Sequence, residues 1–181
     1  MMKNINYFVL LLLIVTSFGC SSDDDGTLTV DESLIPGTWE VTSVVSNDGR
    51  FSGTVENIPI TGSFTAEGKN YTAVITFVEG TGEAANTYTS TGGFSLDITV
   101  QIPTQDPVVV EEDFPDYLGS GTWSVEGNNL ITVTLDQQTN FTITNLTTDT
   151  MALAVSLDEE VVVDNTTFTL DGTLEITLSK N

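Results

Sequence analysis

The stretch Phe94-Ser95-Leu96-Asp97-Ile98-Thr99-Val100-Gln101-Ile102 decides the fold class of this chain. Large apolar residues alternate with polar residues along its whole length. Successive side chains of a β-strand point to opposite faces, so this pattern gives one apolar face and one polar face. The stretch therefore predicts a half-buried strand with a protein core on one side and water on the other.

The same two-residue period continues through most of the chain from Leu34 onward, and no stretch of useful length has a helical period. The polar faces are rich in threonine, whose branched Cβ suits the pleat while its hydroxyl faces water. On the first strand, Glu40, Thr42 and Ser46 are predicted to face outward. The other predicted apolar faces are Trp39, Val41 and Val45; Tyr71, Ala73, Ile75 and Phe77; Trp123 and Val125; Ile131, Val133 and Leu135; Phe141 and Ile143; Met151, Leu153, Val155 and Leu157; Phe168 and Leu170; and Leu174, Ile176 and Leu178.

Short turn signals separate these runs. Gly, Asn and Asp tolerate positive φ, so they favour tight connections between antiparallel strands. The predicted turns are Asn47-Asp48-Gly49, Gly127-Asn128-Asn129, Thr148-Asp149 and Asp171-Gly172.

One long segment, residues 103–121, departs from the alternating pattern. It contains three prolines and several carboxylates, and proline cannot donate to a β-ladder. It is predicted to be a loop or lid rather than a central strand. The remaining runs give eight to ten antiparallel strands, which would form a barrel or a sandwich. Short turns between successive strands favour the up-and-down barrel.

The N-terminus has the parts of a secretion signal. Lys3 is its only positive charge, and residues 7–15 form a short apolar core. That core is shorter than the roughly 20 residues that cross a bilayer. Residues 1–19 are therefore predicted to be a signal peptide that ends before Cys20. Because Cys20 is the only cysteine, it is either a lipid-attachment site or a spare thiol behind an ordinary secretion signal.

Behind the cysteine, residues 20–33 are acidic and polar, and this composition predicts a flexible tether before a domain over residues 34–181. The chain has 26 acidic residues, four basic residues and no histidine. Removal of residues 1–19 leaves 162 residues and three basic ones, so 3 minus 26 gives a formal charge of −23. Such a surface repels phosphate backbones and anionic head groups, so no nucleic-acid binding is expected.

Two resemblances follow from these residues. Gly19-Cys20 resembles a bacterial lipobox, and the acidic run behind it resembles the surface-export signal of Bacteroidota lipoproteins. These resemblances imply lipidation at Cys20 and an outer-membrane protein anchored by that lipid, facing the cell exterior. The residues implied in export are Ser21, Ser22, Asp23, Asp24 and Asp25. As an alternative, the acidic run is only a linker.

The domain itself resembles the lipocalin-like lipoproteins of Bacteroidota. The resemblance rests on Leu34-Ile35-Pro36-Gly37-Thr38-Trp39-Glu40-Val41, on residues 123–133 around the Gly127-Asn128-Asn129 turn, and on residues 141–153. It covers residues 34–46 and 121–181 and leaves 47–120 unmatched. It implies a lipocalin-like barrel, and the final strand-like run takes the place of the C-terminal helix of true lipocalins.

Catalytic chemistry has few candidates in this chain. Without histidine, the commonest base near neutral pH is missing, and no enzymatic activity is expected. Carboxylate pairs of the kind that hydrolyse glycosides remain the distant alternative. The clusters Glu111-Glu112-Asp113 and Asp158-Glu159-Glu160 could supply such pairs, although acidic runs in loops are more often solvated surface.

The same carboxylates could bind Ca²⁺, which takes six to eight oxygen ligands. No other cofactor is expected, and diffuse cation condensation is the simpler alternative. The candidate ligands are Glu112, Asp113 and Asp116 in one group and Asp158, Glu160 and Asp164 in the other.

Four aromatic residues are candidate ligand contacts. Trp39 and Trp123 lie on apolar faces, where packing in the core is the commoner role of such rings. Tyr88 and Tyr117 have polar, loop-like neighbours in the sequence and could stack on a sugar ring or close a barrel mouth.

Two functions stay open at this point. A barrel of about eight strands can hold one small ligand or fill its interior with side chains. The first function is a binding module, a barrel whose interior holds a small apolar or amphipathic ligand or whose mouth holds a glycan. The second is a packed barrel that acts as an accessory subunit of an outer-membrane protein partner.

Overall fold

The computed structural model describes residues 30–55, 57–115, 118–135, 137–163 and 166–181, and they form an all-β structure. A single turn of 3₁₀-helix, Glu32–Leu34, precedes the first strand. The strands are β1 (Gly37–Val55), β2 (Ile58–Lys69), β3 (Val74–Val78), β4 (Thr87–Thr91), β5 (Gly93–Gln101), β6 (Val108–Pro115), β7 (Ser120–Glu126), β8 (Asn129–Thr134), β9 (Gln137–Leu146), β10 (Thr150–Val163) and β11 (Thr166–Lys180). All their pairings are antiparallel.

Eight of these strands close into a barrel. The pairing order is β1-β3-β4-β7-β8-β9-β10-β11, and β11 pairs back onto β1. This is the order of the strands along the chain, so the barrel is up-and-down. The predicted all-β barrel is confirmed, and the last described segment is strand β11 rather than a helix.

The other three strands extend the barrel rather than interrupt it. Each of these strands is next to a barrel strand along the chain. β2 leads into β3, β4 leads into β5 through Gly92, and β6 leads into β7. β2 pairs with the distal half of β1, β5 pairs with β2, and β6 pairs with β5. We call the closed part the barrel body. We call β2, β5, β6 and the ends of β1, β10 and β11 beyond the bulges (residues 50–55, 158–163 and 166–171) the open sheet.

The barrel body and the open sheet meet at bulges. β1 and β11 shift register between Val45 and Arg50, at the level of Asn47-Asp48-Gly49 and of Asp171-Gly172. A Cβ on Gly172 would lie 3.0 Å from the Cα of Gly49, and Asp48 Oδ1 accepts a hydrogen bond from the Thr173 amide at 3.0 Å. The prediction of turns at these two places was wrong, because both glycine segments are bulges inside continuous strands. Hairpins do form at Gly127-Asn128 and at Thr148-Asp149.

The segment 103–121 is also more ordered than the sequence suggests. Its middle forms β6, which pairs on one side with β5, and its end begins β7. The prediction of a loop without strands was wrong, although the exclusion of a central strand holds. Proline is tolerated on an edge strand because the outer side of that strand makes no ladder bonds.

The core fills the barrel body. Its largest fully buried side chains are Trp39, Tyr88, Phe141, Ile35, Leu130, Ile143, Met151 and Leu178. Phe77 meets Trp123 edge-on, with ring centroids 5.8 Å apart. Such contacts bury large apolar areas, and this burial drives folding of a chain that has no disulfide.

Two strands present the opposite face from the one predicted. A bulge after Val41 places Val44 and Ser46 inside, where the sequence predicts Val45 inside and Ser46 outside. On β8, Leu130 and Thr132 are buried instead of the predicted Ile131, Val133 and Leu135. Thr132 is buried because the short turn pairs it with the buried Trp123. A slip of one residue moves every side chain of a strand to the other face.

Residues 1–29 lie outside the described part of the chain, so the predicted signal peptide, Cys20, residues 21–25 and most of the tether lie there too. Among the described residues, no helix has the length and apolar character needed to cross a membrane.

Candidate functional site

An apolar groove of about 400 Å³ lies on one face of the open sheet. Every side chain that lines it is apolar, and three of them are phenylalanines. The lining residues are Phe51, Ile60, Phe64, Ile98, Val100, Ile102, Val110, Phe168 and Leu170. Its volume lies within the range of small-molecule sites, about 300–1,000 Å³.

Strand register brings these side chains to one face. Residues that are directly opposite on neighbouring antiparallel strands point the same way. Val100 is opposite Phe64, and Ile98 is opposite Val110. Leu170 is opposite Phe51 on the other side of β1. The apolar alternation of β5 therefore continues across the strands of the open sheet.

Each of the three phenylalanines lies over a glycine of a neighbouring strand. A Cβ on Gly49 would lie 2.4 Å from the ring of Phe64, and a Cβ on Gly53 would lie 2.5 Å from the ring of Phe168. Phe51 covers Gly62 in the same way. Because glycine has no side chain, the rings can lie low on the sheet and leave space above them.

The edge of the groove is exposed. Within the described strands, β6 pairs only with β5. Its valines Val108, Val109 and Val110 are 58%, 62% and 46% exposed. Val108 and Val110 face the groove, while Val109 faces the other side. Apolar side chains of this size at a sheet edge are unusual for a surface that contacts only water.

Large side chains of the described residues fill the barrel body. Trp39 and Trp123 are buried there, and their indole N–H groups donate to the carbonyls of Ile35 (2.8 Å) and Val78 (3.2 Å). Neither ring lines the groove. Both tryptophans therefore have the packing role that their sequence positions favour.

Tyr88 differs from its predicted surroundings. The sequence places it in a polar, loop-like stretch, but it is a residue of strand β4 and only 1% exposed. Its hydroxyl bonds to Thr134 Oγ1 and donates to the Leu118 carbonyl at 3.2 Å. The alternation Thr87-Tyr88-Thr89 is itself a strand signal that the surrounding polar residues obscure. Tyr117, the other candidate tyrosine, lies outside the described residues.

The candidate Ca²⁺ ligands do not converge among the described residues. Glu112 and Asp113 are consecutive on β6 and point to opposite faces. Asp113 Oδ1 accepts a 2.7 Å hydrogen bond from Ser95. Asp158 and Glu160 are on β10, at the other edge of the open sheet. No three carboxylates of the described residues are close enough to hold a metal ion, and Asp116 and Asp164 lie outside that part of the chain.

Lys69 balances part of the acidic charge on the outer face of the open sheet. Its Nζ lies 2.7 Å from Asp97 Oδ1 and 3.0 Å from Glu111 Oε2. The hydrogen bond to Asp97, followed by the one to Glu111, raises the pKa of Lys69 above its ordinary value of 10.5. Glu111 therefore has a structural partner, which weakens its candidacy as a catalytic carboxylate.

A second hollow, of about 680 Å³, lies on the outer face of the open sheet. It is the larger of the two, and its lining mixes polar and charged residues with apolar surface. Its lining residues are Arg50, Phe51, Ser52, Thr61, Gly62, Ser63, Gln101, Pro103, Thr169 and Asp171. Because every residue that lines the groove is apolar, release of water from the groove gives a larger driving force for binding than release from the mixed lining of the hollow.

Sequence reasoning missed Phe51 and Phe64 as site residues. A signal for them exists in the segments Phe51-Ser52-Gly53 and Gly62-Ser63-Phe64. Each places a phenylalanine and a glycine on one face, in opposite order on two antiparallel strands. Pairing of these strands places Phe51 opposite Gly62. The register that creates the site is visible only once β1 is known to continue through the bulge.

The comparison with known families is consistent with this architecture. The family described as the lipocalin-like domain matches residues 35–153. The match includes the segment 47–120, which contains most of the open sheet and to which the sequence resemblance did not extend. No curated protein and no solved structure shows significant similarity to the chain. Because the matched region is well over half of the 181 residues, the chain belongs to the lipocalin-like domain family.

Proposed function

We propose that this protein binds a small apolar or amphipathic ligand in the apolar groove of the open sheet. The observation that carries the proposal is the wholly apolar lining of a 400 Å³ concavity next to a filled barrel body. The lipocalin-like fold supports a ligand-binding type of barrel.

The energetics favour an apolar occupant. Burial of apolar surface contributes roughly 25 cal/mol per Å², and the exposed valines of β6 supply such surface. A ligand chain along the groove would contact Val100, Val110 and Phe64 on adjacent strands. In the absence of a ligand, Val110 is 46% exposed, so this part of the apolar surface faces water.

The glycan alternative would use the second hollow, whose lining includes hydrogen-bonding side chains. Sugar rings bind to aromatic faces flanked by hydrogen-bonding groups. The only aromatic residue among those lining the hollow is Phe51, and its ring lies on the groove side. The hollow therefore supports glycan binding less well than the groove supports an apolar chain.

The test is binding of N-phenyl-1-naphthylamine, a neutral probe whose fluorescence rises in apolar sites. The Cys20→Ala form of the chain is the suitable sample, because no acyl group competes with the probe. We expect saturable binding with one probe per chain. Val100→Asn should weaken it at least about tenfold, which corresponds to 1.4 kcal/mol.

Thr99→Asn is the matched control, because Thr99 is the adjacent residue on the opposite face of β5. It should leave probe affinity unchanged. Equal binding by both variants would place the probe outside the groove. Absence of probe binding, together with concentration-dependent self- or partner association, would instead favour the accessory-subunit alternative.

We further propose that the protein is a lipoprotein anchored to the outer membrane through Cys20 and facing the cell exterior. The apolar segment before Cys20 and the acidic residues behind it support this proposal. Several acyl chains on one cysteine would bind a bilayer stably, because each buried CH₂ contributes about 0.8 kcal/mol.

Cys20→Ala should release the protein from the membrane fraction. Continued membrane sedimentation of that variant would contradict lipidation. Replacement of Asp23, Asp24 and Asp25 by Asn should reduce cleavage by protease added to intact cells. Unchanged cleavage of the triple variant would contradict an export role of the acidic run while leaving the anchor intact.

A further inference from the structure

We infer that the groove selects its ligand by charge and takes an amphiphile with an apolar chain and a cationic head group, for which Glu112 is the counter-ion. This inference rests on the proposed function, because it names the class of ligand for the same groove. It follows from where the charges of the chain lie relative to the groove.

The cations of the described residues are all placed away from the groove. Arg50 and Lys69 lie on the outer face, and Lys69 is paired there with Asp97. Lys180 lies at the opposite end of the molecule, where its Nζ donates to the Leu34 carbonyl at 2.8 Å. An anionic head group above the groove would therefore meet no positive charge among the described side chains.

Glu112 is the carboxylate of β6 that lies on the groove face. It is two residues from Val110, which lines the groove, so both side chains point to the same face about 7 Å apart along the strand. Its cross-strand neighbour is Leu96, a buried core residue. Glu112 is exposed, and no salt bridge or hydrogen bond to it occurs among the described residues. A cation at the end of a groove-bound chain would meet this carboxylate.

The overall charge acts in the same direction. The formal net charge is −22, so the long-range field attracts cationic ligands and repels anionic ones, and salt weakens this effect. An exposed carboxylate at this distance supports a difference of roughly tenfold in affinity between a cationic and an anionic head group at low salt.

The experiment compares three ligands with the same ten-carbon chain: decyltrimethylammonium, decanol and decanoate. Each displaces N-phenyl-1-naphthylamine from the Cys20→Ala chain at pH 7.5 in 20 and 300 mM NaCl, with the ionic ligands below their micellar concentrations and decanol below its solubility limit. We expect the affinity to fall in the order ammonium, alcohol, carboxylate. The spread should shrink at the higher salt concentration.

Glu112→Gln should bring the ammonium close to the alcohol in affinity. Glu111→Gln is the matched control, because it removes the same charge from the adjacent residue on the opposite face and should retain the preference. Equal affinities for the three ligands, or tightest binding of decanoate, would overturn the charge selection and leave the groove proposal standing. If none of the three ligands displaces the probe or binds, both proposals fail.

Discussion

The ring of Phe64 lies directly over the backbone of Gly49, so that a Cβ on Gly49 would be 2.4 Å from Cε2 of the ring. Phe51 over Gly62 and Phe168 over Gly53 repeat this relationship on neighbouring strands. The three pairs form the aromatic base of the groove, because each ring occupies the space that a side chain would otherwise fill. The depth of the groove therefore depends on glycine at three specific positions.

Gly62→Ala should test this dependence most directly. A Cβ at this position would lie 2.5 Å from the ring of Phe51 and 2.5 Å from the carbonyl oxygen of Gln101. The ring can rotate, but the carbonyl belongs to the backbone of the β2–β5 region. We expect a loss of about 1–3 kcal/mol in the free energy of unfolding, measured by urea denaturation, and weaker probe binding.

Ser63→Ala is the control for that variant, because Ser63 is the adjacent residue on the outer face. It should change stability by less than about 0.5 kcal/mol. If Gly62→Ala were as stable as the parent chain and bound the probe equally well, the low-lying ring of Phe51 would not define the groove.

Ser46→Ala should stabilise the protein. Ser46 is completely buried opposite Ala66, and its hydroxyl has no hydrogen-bond partner among the described residues. A buried polar group without a partner costs about 1–3 kcal/mol. We expect a gain of about 1 kcal/mol in the free energy of unfolding, with Ser52→Ala on the exposed face of β1 as a neutral control. A clear loss of stability would reveal a buried partner for the hydroxyl.

Ser46 also shows why the sequence alone predicts which residues form a strand better than it predicts which side chains point inward. Strict alternation from Trp39 places Val45 inside, but the bulge after Val41 moves Val44 and Ser46 inside. A bulge adds one residue to a strand without leaving a strong mark in composition. The existence of strand β1 could therefore be predicted, whereas the orientation of its second half could not.

The candidate site was less predictable than the barrel for a related reason. Glycine with Asn or Asp indicates a turn from local chemistry, and such a turn does occur at Gly127-Asn128. At Asn47-Asp48-Gly49 and Asp171-Gly172 the long pairing of β1 with β11 overrides that preference. The open sheet exists because these two strands continue through the bulges, so the groove depends on a long-range pairing that local patterns do not encode.

Lys69→Gln should lower stability in a pH- and salt-dependent manner. The pKa of Lys69 is raised in the folded state by hydrogen bonds to Asp97 and Glu111. The stabilisation of the folded state by charged Lys69 is therefore fully present below the ordinary lysine pKa. It disappears as the pH rises through the higher pKa that Lys69 has in the folded state. At 20 mM salt, the melting temperature of the variant should lie below that of the parent chain by a constant amount from pH 7 to 9. This deficit should diminish above about pH 10.5.

The exposure of this ion pair also predicts a salt effect. Half a molar NaCl should reduce the deficit at pH 7, because salt screens exposed charges. Arg50→Gln removes the same charge from the same face, and no ion pair of Arg50 occurs among the described residues. The loss of melting temperature in Arg50→Gln should not diminish at alkaline pH as it does in Lys69→Gln. Identical profiles for both variants would attribute the effect to net charge rather than to the ion pair.

Trp39→Phe should destabilise the barrel body without affecting ligand binding. The indole N–H of Trp39 donates to the carbonyl of Ile35, a fully buried residue, and the lost bond would leave that carbonyl unsatisfied. Loss of ring volume adds to the cost, and we expect about 2–4 kcal/mol in total. Trp123→Phe is the comparison. The Trp123 N–H donates to Val78, which is 52% exposed, so water can replace the bond and the cost should be smaller.

The affinity of these two variants for the probe shows whether each tryptophan only packs in the core or also contacts the ligand. Neither tryptophan lines the groove, so each variant that remains folded should bind N-phenyl-1-naphthylamine as tightly as the parent chain. A variant that keeps its stability and loses the probe would instead identify its tryptophan as a ligand contact. That result would move the binding site from the open sheet into the barrel body, because both rings are buried there. The pair of measurements thus distinguishes a filled barrel with an external groove from a barrel that opens for its ligand.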